Sequence, residues 1–183
     1  MDLPSLVILD RDGVINEDSP DFIRSPDAWR PIAGSLEAIA SLTQAGVEIA
    51  IATNQSGVAR GHFDLETLDA IHARMDQAIK AAGGRVATIA YCPHGPEDDC
   101  ACRKPEPGLL HQIERISGLS VSGQPFVGDA VRDLEAGRRA GCRPVLVRTG
   151  KGRATEQDAA MEDVEVFDDL AAFAAHLLGE ERN

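Results

Sequence analysis

The chain has few aromatic residues: its 183 residues include one Trp, one Tyr and five Phe. Aliphatic side chains must therefore fill the core, and a hydrophobic content of 43% is enough for a sizeable one. No apolar run approaches the ~20 residues that a membrane helix needs, and the N-terminus lacks the basic region and apolar stretch of a secretory signal. We therefore expect a soluble, cytoplasmic protein in which residues 1–183 form a single domain.

Positive charge is also scarce, because 18 Lys and Arg residues stand against 30 Asp and Glu residues, which gives a net charge of −12. An acidic surface repels the nucleic-acid backbone, so we expect no nucleic-acid partner. We also expect no membrane partner and a monomeric protein. A small phosphorylated substrate is repelled at long range as well. Any phosphate site must therefore be made locally positive by a metal ion and a few cations.

Only four cysteines are present, and three of them lie with a histidine in one short segment. Cys92, His94, Cys100 and Cys102 could belong to a disulfide framework or be ordinary buried residues. Disulfides form in oxidising compartments, for which the sequence has no signal. Three thiolates and one imidazole instead make the closed tetrahedral ligand set of structural zinc. We therefore predict a structural Zn²⁺ site in a zinc loop of about residues 92–105.

Short apolar segments alternate with amphipathic ones along the chain. The apolar segments predict parallel strands covered on both faces, at residues 5–10, 47–53, 85–91, 124–128 and 144–147. The amphipathic segments predict helices at residues 35–45, 65–82, 107–117, 130–140 and about 169–178, the first with Ser35 as its N-cap and the second starting at Asp64. The alternation predicts an α/β fold, a three-layer Rossmann-like parallel sheet with helices on both faces. Residues 150–163 are predicted to be a surface excursion, and no interval is long enough for a separate cap domain.

Polar residues follow three of the predicted strands, at the sheet edge where α/β proteins bind ligands. Asp10 ends the first strand and Asp12 lies two positions later, and this spacing directs both carboxylates to one side, where a divalent ion would offset their repulsion. Thr53 ends the second strand and begins a run of hydroxyls and amides, and Asp129 follows the fourth strand. Each motif alone also fits an ordinary turn or helix cap, so their common position at strand ends is what indicates a phosphate site.

The chain resembles the haloacid dehalogenase-like (HAD-like) phosphohydrolases over about residues 6–147, in the ordered motifs Asp10-x-Asp12-Gly13, Thr53, Lys104 and Gly128-Asp129-x-x-x-Asp133. Within that superfamily it is similar to two related families, the heptose bisphosphate 7-phosphatases and the histidinol-phosphate phosphatases, in residues 9–16, 53–61 and 92–105. The residues at 14–16 and 57–61 favour the first family. The chain is also too short to carry a fused dehydratase domain.

The resemblance implies a mechanism with an aspartyl-phosphate intermediate. Asp10 is then the nucleophile, and Asp12 is the general acid that protonates the leaving group and later the general base that activates water. Thr53 and Lys104 would hold the phosphoryl oxygens. The implied ligands of a catalytic Mg²⁺ are the Asp10 side chain, the Asp12 backbone carbonyl and Asp129.

Further site residues are implied around this centre. Asp133 is expected to orient Lys104 or a metal-bound water rather than to react. Ala130 stands where some relatives carry a lysine that helps to bind substrate, so the second phosphate contact is expected from Arg103 or Arg60. The substrate-binding set is Asp18, Ser19, Asp21, Thr53, Asn54, Gln55, Ser56, Arg103 and Lys104, of which the first three are expected to contact sugar hydroxyls. Four histidines match no motif and are interpreted as surface or helix residues: His62, His72, His111 and His176.

These features predict a Mg²⁺-dependent phosphomonoesterase that removes the 7-phosphate of a heptose 1,7-bisphosphate, with a zinc loop in place of a cap domain. The resemblance implies a place in the synthesis of ADP-heptose, of lipopolysaccharide precursors or of related nucleotide-heptoses. Histidinol-phosphate phosphatase is the alternative enzyme. A non-catalytic, zinc-stabilised phosphosugar-binding module is the alternative of another class, which the loss of Asp10 or Asp12 would have favoured.

Overall fold

Six parallel strands form an open sheet in the computed structural model, which describes residues 3–158 and 160–179. The strands are β1 (Leu6–Leu9), β2 (Glu48–Asn54), β3 (Thr88–Cys92), β4 (Pro125–Gly128), β5 (Arg143–Val147) and β6 (Glu165–Phe167). Their order across the sheet is β3-β2-β1-β4-β5-β6. The predicted parallel sheet is therefore confirmed, and the sixth strand at its edge was not predicted.

Six α-helices connect or follow these strands: α1 (Ser35–Gln44), α2 (Leu65–Ala81), α3 (Gly108–Ser117), α4 (Val131–Arg139), α5 (Gly152–Asp158) and α6 (Leu170–Leu177). Five of them were predicted within a few residues. The prediction of a plain surface excursion at residues 150–163 is wrong, because α5 lies there. This seven-residue helix is almost entirely polar and buries only Gly152 and Thr155, so it carries no apolar stripe to reveal it.

The two predicted helix starts have different outcomes. Asp64 caps α2, where its Oδ1 accepts a hydrogen bond of 2.8 Å from the backbone N–H of Thr67. The assignment of Ser35 as an N-cap is wrong, because Gly34 occupies that position with a φ of 82° and Ser35 is the first helical residue. The Ser35 hydroxyl instead donates a 2.8 Å hydrogen bond to the carbonyl of Val14, so it ties α1 to the loop after β1.

Helices cover both faces of the sheet. Val7 and Leu9 of β1 pack into a cluster with residues of α1, α2 and α6, while Leu6 and Ile8 pack on the opposite face with residues of α3 and α4. Successive side chains of a strand point to opposite faces, and both faces are apolar, so all four residues are fully buried. This arrangement confirms the three-layer architecture.

The order of the strands reverses direction between β1 and β4, which are hydrogen-bonded neighbours. Ligands of such sheets bind outside the carboxyl ends of the strands at this switch point. The longest connections between named elements, residues 10–34 and 93–107, both leave the sheet at that edge. Among the described residues, no helix is both long enough and apolar enough to cross a lipid bilayer.

Candidate active site

Asp10 and Lys104 form a buried ion pair at the carboxyl end of β1. Asp10 is 2% exposed and Lys104 is 1% exposed. The Lys104 Nζ lies 2.9 Å from Asp10 Oδ1 and 2.7 Å from Asp133 Oδ1, and it donates a 2.8 Å hydrogen bond to the carbonyl of Ala52. The structure thus brings the lysine of the loop after β3 to the acids of β1 and α4, as the sequence motifs predicted.

Asn54 holds the backbone of Lys104 from the end of β2. Its Oδ1 accepts a 3.0 Å hydrogen bond from the Lys104 N–H, and its Nδ2 donates a 3.1 Å hydrogen bond to the Lys104 carbonyl. The Lys104 ammonium also lies 5.5 Å from the centre of the Phe126 ring. The polar atoms of the Asn54 amide are therefore engaged in placing the lysine.

Three carboxylates converge beside this lysine. Oxygens of Asp10, Asp129 and Asp133 all lie within 4.8 Å of one another. Asp133 binds groups of the protein itself, because its Oδ2 accepts hydrogen bonds from the backbone N–H groups of Asp129 at 3.2 Å and Ala130 at 3.0 Å. Asp129 Oδ2 accepts from the Lys151 N–H at 2.8 Å, whereas its Oδ1 is buried and has no hydrogen-bond partner among the described residues.

The carboxylates of the acid cluster repel one another, and a cation between them would offset this repulsion. Burial, together with the charge of Asp133, raises the pKa of Asp10 to about 6. Burial and the charges of Asp10 and Asp133 raise the pKa of Asp129 to about 8. A buried, unpartnered carboxylate oxygen beside a second carboxylate is the donor set that Mg²⁺ prefers. Asp10 and Asp129 therefore fit the predicted magnesium site.

Two glycines let the backbone approach Asp129. Gly13 has a φ of +82° and Gly150 a φ of +56°, and a Cβ atom on either residue would overlap Asp129 Oδ2. Gly13 follows β1 and Gly150 follows β5, so loops from two strands enclose the carboxylate. Glycine is needed at both positions, because a side chain would displace the acid and the left-handed backbone disfavours other residues.

Asp12 is fixed through both of its carboxylate oxygens. Its Oδ1 accepts hydrogen bonds from Arg11 Nε at 3.2 Å, Arg11 Nη2 at 2.9 Å and Asn16 Nδ2 at 2.9 Å, and its Oδ2 accepts from Gln55 Nε2 at 2.9 Å. Burial acts to raise the pKa of Asp12, but the Arg11 charge and these hydrogen bonds outweigh it and lower the pKa. Gln55 Nε2 also donates to the buried Thr53 Oγ1 at 2.9 Å.

Two residues beneath Asp12 were not predicted as part of the site. Arg11 is fully buried, and its Nη1 lies 3.2 Å from the Nε2 of His72 on α2. The interpretation of His72 as an ordinary surface or helix residue is incomplete. Its side chain is only 7% exposed, and it contacts Arg11, the residue between Asp10 and Asp12. Position 72 falls on the apolar stripe of α2 with Leu68 and Met75, and this spacing is the signal that could have revealed its burial.

A cavity of about 510 Å³ lies next to the acid cluster, and its lining includes Asp12, Asn54, Gln55, Ser56 and Arg103. The predicted sugar contacts Asp18 and Ser19 also line it, whereas Asp21 is exposed and is not part of the lining. Thr53 and Lys104 are buried and are not among its lining residues. Arg60 lines a separate cavity, and its guanidinium carbon lies 6.0 Å from the centre of the Phe22 ring.

Two further cations line the cavity and were missed by sequence reasoning. Arg132, in the first turn of α4, has a buried Nε with no hydrogen-bond partner, and it forms no ion pair within the described part of the chain. Burial acts to lower the pKa of Arg132, but the nearby Asp133, Asp10 and Asp129 raise it. The Nζ of Lys151 lies 3.3 Å from Asp18 Oδ2. Arg132 comes two positions after Ala130, so its place in the motif was available as a signal.

The cysteine cluster lies on the loop that carries Lys104. Cys92 Sγ lies 3.1 Å from Cys102 Sγ and 3.7 Å from Cys100 Sγ, and His94 Nδ1 lies 3.4 Å from Cys92 Sγ and 3.3 Å from Cys102 Sγ. The cysteines are free thiols. A tetrahedron with Zn–S bonds of about 2.3 Å has S···S edges of about 3.8 Å. All four donor atoms lie within 4.8 Å of one another, so the set fits a zinc ion.

The chain is similar to known proteins over nearly its whole length. A family model described as HAD-hydrolase-like matches residues 101–173. The chain is 56% identical over 174 residues to the D-glycero-β-D-manno-heptose-1,7-bisphosphate 7-phosphatase of Pseudomonas aeruginosa, covering 95% of this chain and 98% of that protein. It is 54% identical over 176 residues to the enzyme of that name in Bordetella bronchiseptica, covering 96% of this chain and 98% of the relative.

Solved structures agree with these relatives. The crystal structure of the D,D-heptose 1,7-bisphosphate phosphatase from B. bronchiseptica, complexed with magnesium and phosphate, matches with a TM-score of 0.93 and 53% identity, covering 97% of this chain and 99% of that one. The phosphatase of that name from Burkholderia thailandensis matches with a TM-score of 0.75 and 43% identity, covering 95% and 98% of the two chains.

The open parallel sheet, the acid pair at the end of its first strand and the matching family model together define the class of protein, a HAD-like hydrolase. Identities above half over almost the full length of both chains narrow the class to one family. The chain belongs to the D-glycero-β-D-manno-heptose-1,7-bisphosphate 7-phosphatase family.

Proposed function

We propose that the chain is a Mg²⁺-dependent phosphatase that hydrolyses the 7-phosphate of D-glycero-β-D-manno-heptose 1,7-bisphosphate. The observation that carries the proposal is the buried Asp10–Lys104 pair, 2.9 Å apart, which lies within an acid cluster where one buried oxygen of Asp129 has no hydrogen-bond partner among the described residues. The relatives support the substrate, because proteins that share more than half of their residues with this chain carry that activity in their names.

Asp10 is the proposed nucleophile. Its carboxylate attacks phosphorus, the bond from phosphorus to the sugar oxygen breaks, and an aspartyl-phosphate forms. Lys104 keeps Asp10 in place and offers positive charge to the phosphoryl oxygens. The buried Thr53 hydroxyl, held by Gln55 Nε2 at 2.9 Å, is proposed to bind a phosphoryl oxygen as well. Asp133 is a positioning residue in this scheme, because it binds the Lys104 ammonium at 2.7 Å and two backbone N–H groups.

Asp10, Asp129 and the backbone carbonyl of Asp12 are the proposed Mg²⁺ ligands. When bound, the ion neutralises part of the charge on the carboxylate nucleophile and on the phosphate, which would otherwise repel each other. The enclosure of Asp129 by Gly13 and Gly150 supports this assignment, because it holds the carboxylate toward Asp10. The B. bronchiseptica neighbour was crystallised with magnesium and phosphate, which supports the same metal here.

Asp12 is the proposed acid and base. It gives a proton to the oxygen of the departing sugar and later takes one from the water that hydrolyses the aspartyl-phosphate. Without substrate, Arg11, Asn16 and Gln55 favour the carboxylate form. A phosphate dianion that enters the cavity adds negative charge near Asp12, and this favours the protonated form that the first step requires.

Three cations on the cavity wall support a substrate with two phosphates. Arg103, Arg132 and Lys151 line the same space, and the Arg132 guanidinium has no ion-pair partner among the described residues. One phosphate would lie on Asp10, so these cations are available to the phosphate at the other end of the sugar. Asp18 and Ser19 would then contact hydroxyls between them.

The zinc cluster is proposed to order the loop that carries Arg103 and Lys104. Residues 93–107 contain no helix or strand, so a bound ion would supply the order that the segment cannot provide itself. The closed set of four ligands gives the zinc ion a structural role. A monomeric, cytoplasmic enzyme remains part of the proposal, and size-exclusion chromatography with light scattering tests the first of these.

Phosphate release tests the proposed function. With Mg²⁺, we expect kcat/KM for the β anomer of heptose 1,7-bisphosphate to exceed the values for the α anomer and for histidinol phosphate, with ³¹P NMR showing loss of the 7-phosphate. Asp10→Asn should abolish turnover, while Asp69→Asn, an exposed aspartate of α2, should leave it unchanged. Preference for histidinol phosphate would refute the substrate, and turnover by Asp10→Asn would refute the nucleophile.

A further inference from the structure

The guanidinium of Arg11 is enclosed between Asp12, Gln55 and His72. It is fully buried and always charged, so its N–H groups need acceptors inside the protein. Nε and Nη2 donate to Asp12 Oδ1, and Nη2 also lies 3.3 Å from Gln55 Oε1. The remaining contact is made by Nη1, which lies 3.2 Å from the Nε2 of His72.

His72 must accept this hydrogen bond as a neutral ring. Arginine has only donors, so the Nε2 of His72 is unprotonated and its proton is on Nδ1. Burial and the charge of Arg11 lower the pKa of His72 to about 3, which keeps the ring neutral under ordinary conditions. The ring lies against Tyr91 with a centroid distance of 5.8 Å, so packing fixes the orientation of the acceptor.

Arg11 in turn determines how Asp12 is held. It contacts Asp12 Oδ1 directly, and its contact with Gln55 Oε1 turns the Gln55 amide so that Nε2 donates to Asp12 Oδ2. Without an acceptor at position 72, Nη1 of the buried Arg11 would lose its hydrogen-bond acceptor. The guanidinium would then rotate toward another acceptor. Both contacts that define the direction of the Asp12 carboxylate would then change.

We propose that His72 is a positioning residue for acid–base chemistry, which holds Arg11 and thereby aligns Asp12 with the leaving oxygen of the substrate. The inference rests on the proposed role of Asp12. His72 does not line the cavity described above and takes no part in bond making. The competing explanation is that His72 only fills space on the buried face of α2, and in that case its loss would affect all substrates alike.

Leaving-group dependence separates the two explanations. The sugar alkoxide needs a proton as it departs, whereas p-nitrophenolate is stable without one, so only the natural reaction depends on Asp12 as an acid. The value of kcat/KM reports the steps up to formation of the aspartyl-phosphate, before Asp12 acts as a base. We therefore compare kcat/KM for heptose 1,7-bisphosphate with that for p-nitrophenyl phosphate on the same preparation, so that the folded fraction cancels in the ratio.

His72→Phe keeps a ring of similar size and removes the acceptor. We expect the ratio to fall on the order of 10–100-fold, since correctly placed acid catalysis is worth about 10²–10⁴-fold. His72→Gln places an amide oxygen near the Nε2 position and should restore much of the ratio. His111→Phe, an exposed histidine of α3, is the matched control and should leave it unchanged. His72→Leu serves as a second acceptor-free variant if the Phe variant does not fold.

Equal losses on both substrates, or an unchanged ratio, would overturn the inference in favour of a packing role. A folded His72→Gln variant with the low ratio of the Phe variant would also overturn it. Failure of the proposed function looks different, because the wild-type protein itself would then not hydrolyse heptose 1,7-bisphosphate. The ratio would in that case be taken with an alkyl monophosphate that the wild type hydrolyses.

Discussion

At the scale of single residues, the site depends on buried charges that neutralise one another. Lys104 is shared between Asp10 and Asp133, and both acids are almost without exposure to solvent. Removal of one partner from such a pair leaves a buried charge uncompensated, which costs more than the pair contributes. We therefore expect the lysine to stabilise the folded state and, in the proposed mechanism, to bind the phosphoryl oxygens.

Lys104→Met removes the ammonium and keeps the length of the side chain. We expect turnover to fall about 10²–10³-fold, as for the loss of one preorganised donor. The free energy of unfolding, measured by urea denaturation without Mg²⁺, should fall by about 3–5 kcal/mol. Lys80→Met is the control, because that lysine pairs with Asp76 on the surface of α2, where an ion pair is worth less than about 1 kcal/mol. Wild-type turnover by Lys104→Met would contradict the assignment.

Arg132→Ala tests the proposed binding of the second phosphate. We expect kcat/KM for heptose 1,7-bisphosphate to fall about 10-fold or more, since a charge-assisted hydrogen bond contributes about 1.5–3 kcal/mol. The value for heptose 7-phosphate should change little. Steady-state kinetics with both substrates provide the comparison, and Arg115→Ala, an exposed arginine of α3, is the control. Equal losses on both substrates would assign Arg132 to the reacting phosphate instead.

The neutral state of buried His72 predicts a dependence of stability on pH. The folded-state pKa of about 3 lies below the ordinary value of about 6.5, so below pH 6.5 the unfolded chain binds a proton that the folded protein does not. Stability from this group is complete above pH 6.5 and is lost as the pH falls toward 3, at about 1.4 kcal/mol per pH unit. Urea unfolding of the wild type and of His72→Gln at pH 7 and pH 5 gives the free energy of unfolding of each protein at each pH. We expect a larger loss between pH 7 and pH 5 for the wild type, and equal losses for the two proteins would contradict the prediction.

The sequence predicted the site residues that end strands, and the family motifs predicted Lys104 of the zinc loop, but residues outside both groups, such as Arg132 and His72, were missed. Asp10, Thr53 and Asp129 end strands of a parallel sheet, so their convergence follows from the topology. Arg132 reaches the cavity from the first turn of a helix, and a long side chain has many possible directions. His72 is recognised only once α2 is packed on the sheet, which brings its ring to a guanidinium from the loop after β1.

At the scale of elements, the zinc loop has two independent attachments. The cysteine and histidine cluster connects its two ends, and Asn54 of β2 holds the Lys104 backbone by a pair of hydrogen bonds. The Gly108 N–H also donates a 3.0 Å hydrogen bond to the Ala101 carbonyl, and a Cβ at Gly108 would overlap that carbonyl. Loss of the metal therefore removes one of the constraints on the lysine and leaves the others.

Cys100→Ser should reduce zinc content and lower turnover only partly, since Asn54 still holds Lys104. Combining it with Asn54→Ala should reduce turnover by more than the product of the two single effects, because both changes release the same loop. Metal analysis by plasma mass spectrometry and steady-state kinetics on the four proteins test this. Cys142→Ser, at a buried cysteine outside the cluster, is the control. Full zinc content in Cys100→Ser would contradict the ligand assignment.

Long, strongly patterned elements were predicted well, and short ones were not. β1 and β2 are buried on both faces and read as nearly continuous apolar runs, whereas β6 has three residues, all only partly buried. The edge position of β6 and the polar sequence of α5 leave no periodic signal at that length. β6 forms by pairing with β5, and α5 packs against β5, so both elements depend on tertiary contacts that a local sequence pattern cannot reveal.

At the scale of the whole molecule, an acidic protein concentrates several carboxylates at one end of its sheet. Without Mg²⁺, the raised pKa of about 8 means that folded Asp129 binds a proton that the unfolded chain releases near pH 4. The stability from this group is therefore fully present below pH 4 and is lost as the pH rises toward 8. Mg²⁺ competes with that proton and binds only the folded site, so its stabilising effect should grow over the same range.

The melting temperature should therefore rise more on addition of Mg²⁺ at pH 8 than at pH 6, and chelation by EDTA should reverse the increase. Differential scanning calorimetry at both pH values measures it. Asp129→Asn should lose most of the Mg²⁺-dependent increase, while Asp69→Asn should retain it. An increase of the same size at both pH values would contradict the proposed exchange of a proton for the metal.

The order of the strands also links catalysis to the completion of the sheet. Asp10 lies near the start of the chain, whereas Asp129 and Gly150 follow β4 and β5, which join the sheet on the other side of β1. A nascent chain that has formed only β1 to β3 and the loop after β3 would carry Asp10, Gly13 and Lys104 but neither Asp129 nor Gly150. In the proposed mechanism, turnover therefore requires that β4 and β5 of the C-terminal half have joined β1 of the N-terminal half in the sheet.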